Sequence, residues 1–239
     1  YDVRYLYLIG LIIEDTSDNV FHCEKCDHLL LRGVSIRGPA PDTYASKEAV
    51  KVNQSQYIYI EDSDISGAWD NAVDFVAVQY GHVLGSRLHS AGDWCIYAKG
   101  GSAYLYIERN TLYDCGTGGF TAGQGTGFQF MTPPWLHYEA YDVQFVDNIL
   151  YDIDGAAFGV QGAYNVVIAF NTAYRVGARS HVIEAGFGGR SCDGTPDDDS
   201  FARCGEYLAE GGWGNTRISD GNNFTRIPNR HVYIVNNII

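Results

Sequence analysis

Short runs of alternating apolar and polar residues recur along the chain about every 23 residues. The clearest are Tyr57-Ile58-Tyr59-Ile60, Tyr80-Gly81-His82-Val83, Tyr104-Leu105-Tyr106-Ile107, Asp142-Val143-Gln144-Phe145, Asn165-Val166-Val167-Ile168 and His231-Val232-Tyr233-Ile234. Alternation with period two predicts strands with one buried face. Three residues after each run stands a small hydroxyl or amide: Ser63, Ser86, Asn110, Asn148, Asn171 and Asn237. A strand followed by a polar corner at a fixed offset, repeated at this period, predicts a solenoid of parallel strands. Residues one period apart then stack in adjacent turns, about 4.8 Å apart along the axis.

Parallel crossovers are right-handed as a rule. The expected fold is therefore all-β: a right-handed parallel β-helix with coils at about 20–47, 48–70, 71–93, 94–118, 119–155 and 156–178. No stretch has the start and stop signals of an ordinary helix. The pattern predicts a single domain over 1–239, monomeric and cut from a longer protein at both ends. It has two loop insertions, at about 122–140 and 186–230. The first carries Phe128, Phe130, Pro133, Pro134, Trp135, His137 and Tyr138; the second carries Arg190, Asp197-Asp198-Asp199 and Gly211-Gly212-Trp213-Gly214. Insertions in solenoids collect on one face, often the binding face.

Composition narrows the partners. Apolar residues make up 46% of the chain, enough for a long continuous core, and 28 glycines against six prolines suit a fold that turns corners several times per coil. A net charge of −13 argues against nucleic acid, whose affinity comes from Lys and Arg neutralising phosphates. No apolar run is long enough to span a membrane. Six cysteines favour an oxidising compartment, so a secreted or cell-surface location is expected. Cys192 and Cys204 bracket an acidic loop and are expected to pair. Cys95 and Cys115, about one coil apart, either pair or stack as thiols. Cys23 and Cys26 form a lone C-x-x-C without the second ligand pair that a zinc site needs.

Two places carry candidate chemistry. Asp70 and Asp93 lie one coil apart, so their carboxylates fall in one column and repel unless a cation bridges them or one is protonated. With Asn71 and Asp74 they form a set of hard oxygen donors suited to Ca²⁺. The alternative is a set of solvated turn residues making Asx-type hydrogen bonds. Lys99 is one of four lysines (Lys25, Lys47, Lys51, Lys99) and ends the apolar strand Cys95-Ile96-Tyr97-Ala98 just before Gly100-Gly101, which leave room for a ligand.

Asp70-Asn71-Ala72-Val73-Asp74-Phe75, followed about a coil later by Ala98-Lys99-Gly100-Gly101, resembles the family-nine polysaccharide lyases. Those are right-handed parallel β-helix enzymes with a calcium-binding aspartate stretch and a catalytic lysine. The resemblance implies that Asp70, Asn71 and Asp74 bind Ca²⁺ and that Lys99 abstracts the C5 proton of a uronic acid, cleaving an acidic polysaccharide by β-elimination. Asn71 and Ala72-Val73 depart from the family pattern. A further family ligand would fall near Lys47, where a cation stands, so that either the ion is lost or Lys47 supplies its charge. Tyr97, His137, Arg190 and water are candidate donors to the leaving oxygen, and Trp135 and Tyr138 candidate sugar-binding aromatics. Two other readings fit the same fold: a non-catalytic adhesin or glycan-binding module, and a glycoside hydrolase using Asp70, Asp74 and Asp93.

Overall fold

A computed structural model describes residues 2–14, 16, 18–38, 47–127, 130–191, 206, 209–210 and 226–239. Among them the chain winds into three parallel sheets, each coil adding one strand to each. The first sheet stacks Arg4–Ile9, Asp27–Arg32, Gln56–Glu61, Gln79–Leu84, Ser102–Glu108, Ala140–Val146, Ala163–Ala169 and Arg230–Val235. The second runs from Ile12–Glu14 through Ser35–Arg37, Asp64–Ala68, Arg87–Ala91, Thr111–Cys115 and Ile149–Ile153 to Thr172–Val176. The third comprises Phe21–Glu24, Val50–Asn53, Val73–Val76, Trp94–Lys99, Gly118–Gly123, Ala156–Gln161 and Ile183–Gly186. This is the expected parallel β-helix.

The register shows why these residues build it. Phe21, Val50, Val73, Ile96, Phe120, Phe158 and Ile183 pair across the third sheet as one inward column. Val50, Val73, Ile96, Phe120 and Phe158 join the inward residues of the other two sheets in one continuous core along the axis, with Phe21 partly buried against it and Ile183 exposed. Phe120 stacks on Phe145 with ring centroids 4.5 Å apart. Burying such a ring contributes about 1.5–3 kcal/mol.

The polar corner between the first and second sheets is the ladder read from the sequence. Ser86 Oγ accepts from the Ser63 amide at 3.1 Å, Asn110 Oδ1 from Ser86 at 2.9 Å, Asn148 Oδ1 from Asn110 at 2.9 Å, and Asn171 Oδ1 from Asn148 at 2.8 Å. Each buried carboxamide thus satisfies a backbone group that the turn would leave unpaired. The residue before each rung is left-handed: Asp62, Gly85, Arg109, Asp147, Phe170 and Asn236 have φ between 47° and 60°. Only one of these is glycine, so the corner geometry overrides the usual preference.

Rings and disulfides also follow the period. On the outer face of the first sheet, Tyr5, His28, Tyr57, Tyr80 and Tyr104 stack in one column, with successive centroids 4.5–4.9 Å apart. Cys95 and Cys115 pair, as one of the two expectations had it. Cys23 and Cys26 are bonded to each other, so neither thiolate is available to zinc. Cys192 and Cys204 lie outside the described residues. No helix among the described residues is long and apolar enough to cross a membrane.

Candidate functional site

The acidic corner lies at the entry to the third sheet, and the backbone places its column as expected. Asp70 N–H donates to Lys47 O at 2.7 Å and Asp93 N–H to Asp70 O at 2.9 Å, so the two aspartates sit one above the other. Asp74 follows on the strand Val73–Val76, with Tyr97 beside it in the next coil and Lys99 two residues further on.

The structure adds two residues that the sequence reading missed. Lys51 is the register partner of Asp74 in the preceding coil. Its Nζ donates to Asp74 Oδ2 and, at 2.8 Å, to Glu48 Oε1. Glu48 is 5% exposed and Asp74 fully buried. Lys47, the cation that the resemblance singled out, instead points outward and meets Asp18 at 3.3 Å. The carboxylate that enters the corner from this coil is on Glu48, next to Lys47, and the cation that reaches the corner is Lys51.

Burial first, and then crowding of charge, shifts the titrations. Burial, reinforced by Asp74 and opposed by Lys51, raises Glu48 to about 7. Burial and then Asp93 and Asp74 raise Asp70 to about 6. For Lys51, burial favours the neutral amine, but Asp74 and Glu48 outweigh it and hold the ammonium charged. Burial pushes the Tyr97 phenol well upward, helped by Asp74 and Glu139. That hydroxyl donates to Gln124 Oε1 at 2.6 Å.

The donor set does not fit a calcium ion. Asp74 Oδ2 already accepts from an ammonium, and Lys99 Nζ stands 4.0 Å from the same atom. Asn71 is a corner rung: its Oδ1 accepts from the Trp94 amide at 3.1 Å and its Nδ2 donates to Asp70 Oδ1 at 3.1 Å. Among the described residues no three His, Cys, Asp or Glu side chains are grouped to hold a metal.

Beside this corner a groove of about 350 Å³ runs over the third sheet, lined by Lys51, Asn53, Val76, Lys99, Gly125, Thr126, Gly127 and Phe130. Lys99 Nζ lies 4.0 Å above the Tyr97 ring, a cation–π contact that steadies it at the groove floor. The turn after Lys99 is braced by Glu139, fully buried, whose Oε2 accepts from Gly100 N–H at 3.0 Å and from Thr126 Oγ1 at 2.7 Å. Gly101, at φ +83°, has Trp135 O 2.2 Å from where a Cβ would stand, so only glycine lets the insertion close over this corner. The pairing of Gly125–Gly127 with Gly189–Ser191 continues the wall and places Arg190 opposite Thr126; the Arg190 side chain lies outside the described residues.

The proposed sugar-binding aromatics are elsewhere. Trp135 packs edge-on against Tyr104 and tilted against Tyr141, both on the first sheet. Tyr138 packs on Tyr164 of the same sheet. His137 is exposed on the insertion. None of the three lines the Lys99 groove, where Phe130 is the aromatic wall. The insertion bends back onto the first sheet because the tyrosine column there offers it an apolar surface.

One further signal marks this face. Five buried side-chain atoms among the described residues have no hydrogen-bond partner, and four of them belong to the third sheet: Asn53 Oδ1, Asp74 Oδ1, Trp94 Nε1 and Gln161 Nε2. The fifth is Ser35 Oγ, on the second sheet. Buried polar groups are normally satisfied, so a cluster of exceptions on one face is a reason to look for a ligand there.

The sequence matches the family model described as "Right handed beta helix region" over residues 3–183. Among solved structures, an alginate lyase from Paenibacillus sp. str. FPU-7 is similar at 9% identity and a TM-score of 0.35, over 74% of this chain and 90% of that one. HetL, a pentapeptide repeat protein involved in heterocyst differentiation regulation from the cyanobacterium Nostoc sp. Strain PCC 7120, is similar at 10% identity and a TM-score of 0.16, over 78% of this chain and 89% of that one. At these TM-scores neither likeness bears on activity. No curated protein matches the chain.

Proposed function

We propose, on the premise that the chain belongs to the right-handed β-helix family, that its third-sheet groove cleaves an acidic polysaccharide by β-elimination. The observation that carries this reading is the convergence of two of the chain's four lysines, Lys51 and Lys99, on one groove, which Asn53 also lines. A uronate carboxylate would be met by Lys51, which has one N–H beyond those given to Glu48 and Asp74, and by the Nδ2 donor of Asn53. Such a contact favours the negative charge that develops when the C5 proton leaves.

In this scheme Lys99 Nζ takes the C5 proton. The C4–O bond breaks, a C4–C5 double bond forms, and the departing oxygen takes a proton from Asp70 or from water. Asp70 suits that role because its carboxyl, raised to about 6, holds a proton further toward neutrality than an ordinary aspartate. Tyr97 positions Lys99 through its ring, with its hydroxyl committed to Gln124. The two disulfides support an extracellular setting.

A second reading has its own observation. Asp70, with its raised carboxyl, stacked one coil from Asp93, forms an acid and base pair of the kind glycoside hydrolases use. The test is incubation with a panel of uronans, following the ultraviolet absorbance of unsaturated products. Elimination predicts that absorbance, and a fall of about 10²–10⁴-fold in Lys99→Ala. Reducing ends without unsaturation, lost in Asp70→Asn but kept in Lys99→Ala, would establish hydrolysis instead. Tight binding with no product from any uronan would make the groove a glycan-binding site.

A further inference from the structure

The geometry points to Lys51 as a tethered cation: its ammonium stands where a divalent ion would bind in the acidic corner, so the protein works without one. This goes beyond the reaction proposed above and does not depend on it. Glu48, Asp70, Asp74 and Asp93 come from three successive coils and crowd acidic groups into one corner, although among the described residues no three of them are grouped around a single point. Lys51 enters from the strand beside Asp74 and gives hydrogen bonds to two of these carboxylates. An ammonium and a calcium ion approach carboxylate oxygens to similar distances, so the two exclude each other.

Asp74 supplies the independent sign that the corner is shaped around a cation. It is fully buried, and its Oδ1 has no hydrogen-bond partner although its Oδ2 is held by Lys51. A buried carboxylate with one oxygen idle needs a positive charge close by. Lys99 does not provide it alone, because its Nζ stands 4.0 Å from Asp74 Oδ2 and rests on the Tyr97 ring. Lys51 therefore carries the compensating charge, and Lys99 is left to face the groove. Replacing Lys51 by a small neutral residue would leave Glu48 and Asp74 uncompensated on either side of a space that a divalent cation would fill.

The experiment is calorimetric titration of CaCl₂ into the protein, with thermal unfolding measured in CaCl₂ and in EGTA. The parent and Lys51→Arg should give no binding heat and the same unfolding midpoint in both media. Lys51→Ala should bind Ca²⁺ and unfold at a higher temperature in CaCl₂ than in EGTA, and Lys51→Ala/Asp74→Asn should lose that response. Calcium binding by the parent that Asp74→Asn abolishes would overturn the inference, as would a folded Lys51→Ala indifferent to Ca²⁺. Should Lys51→Ala fail to fold in EGTA, recovery of folding in CaCl₂ supports the inference. Failure in both media, with Lys51→Ala/Asp74→Asn folding normally, overturns it.

Discussion

Replacing Glu48 with glutamine isolates the proton that the acidic corner holds. Glutamine has the shape of the protonated glutamic acid and cannot ionise, so the two proteins differ only where Glu48 would lose its proton. Glu48 titrates near 7 in the fold against 4.5 for a free glutamic acid. The folded state therefore binds this proton more tightly than the unfolded state does. The stability it contributes is fully present below about pH 4.5 and is lost as pH rises toward about 7. The size of the displacement corresponds to about 3 kcal/mol, an upper figure because the neighbouring charges relax. Urea unfolding of parent and Glu48→Gln at several pH values between about 5 and 8 measures the difference. Its absolute level includes any change in packing, but its slope belongs to Glu48. Stability of the variant relative to the parent should rise by about 1–3 kcal/mol across that window. Parallel pH curves, or a relative stability that falls with pH, would refute the burial argument. Asp70, also raised, remains in both proteins and cancels to first order.

Two more perturbations test the architecture. Asn148→Ala removes a buried acceptor for the Asn110 amide, a buried donor to Ile107 O and a part-buried one to Val146 O, and should cost about 3–5 kcal/mol in urea unfolding. Asn148→Ser should cost clearly less, since Ser86 fills the equivalent place with one oxygen; equal losses would show that the ladder's second bonds are immaterial. Gly118→Ala would set a Cβ 2.0 Å from Trp94 Cζ3 and 2.7 Å from Ala156 O, and overpacking against backbone should lower stability by about 2 kcal/mol or more. An unchanged thermal midpoint would mean that the indole is not held over the third sheet.

Spacing made the fold legible because a solenoid repeats its chemistry at a constant interval. Ser63, Ser86, Asn110, Asn148 and Asn171 could be aligned by counting, and each is a rung. The same count stacked Asp70 under Asp93. It failed at Lys47 because it was carried back only from Asp70. Carried back one period from Asp74, it reaches Lys51, the residue that is in contact with it. Glu48 was passed over because corner residues next to one another in sequence point to different sides, and spacing alone does not say which points inward. Trp135 and Tyr138 were beyond reach for another reason. The insertion has no period, and what decides its course is the apolar tyrosine column of the first sheet, a tertiary partner no local pattern announces.

Parallel stacking has a consequence for where function can sit. Each residue's neighbours one turn away are its register partners, so residue types that attract their own kind are favoured in columns. Aliphatic side chains, amides and rings all do so, and they make up the core, the ladder and the tyrosine stack. Like charges do not, and where charge lies on the outer faces it is paired across coils, as in Asp64 with Arg87 and Asp152 with Arg175. The outward column His22, Lys51, Asp74, Tyr97, Thr121, Gly159 and Glu184 breaks this rule, since no residue type repeats in it. Stability accounts for Lys51 beside Asp74, an ion pair across coils like the others, but gives no reason to bury Asp74 with its Oδ1 unpaired. A column that abandons repetition at a cost to the fold is under a constraint other than folding. Here it adjoins the groove lined by Lys51 and Lys99, which is the physical reason to place the chemistry on this sheet and not on the tyrosine-bearing one.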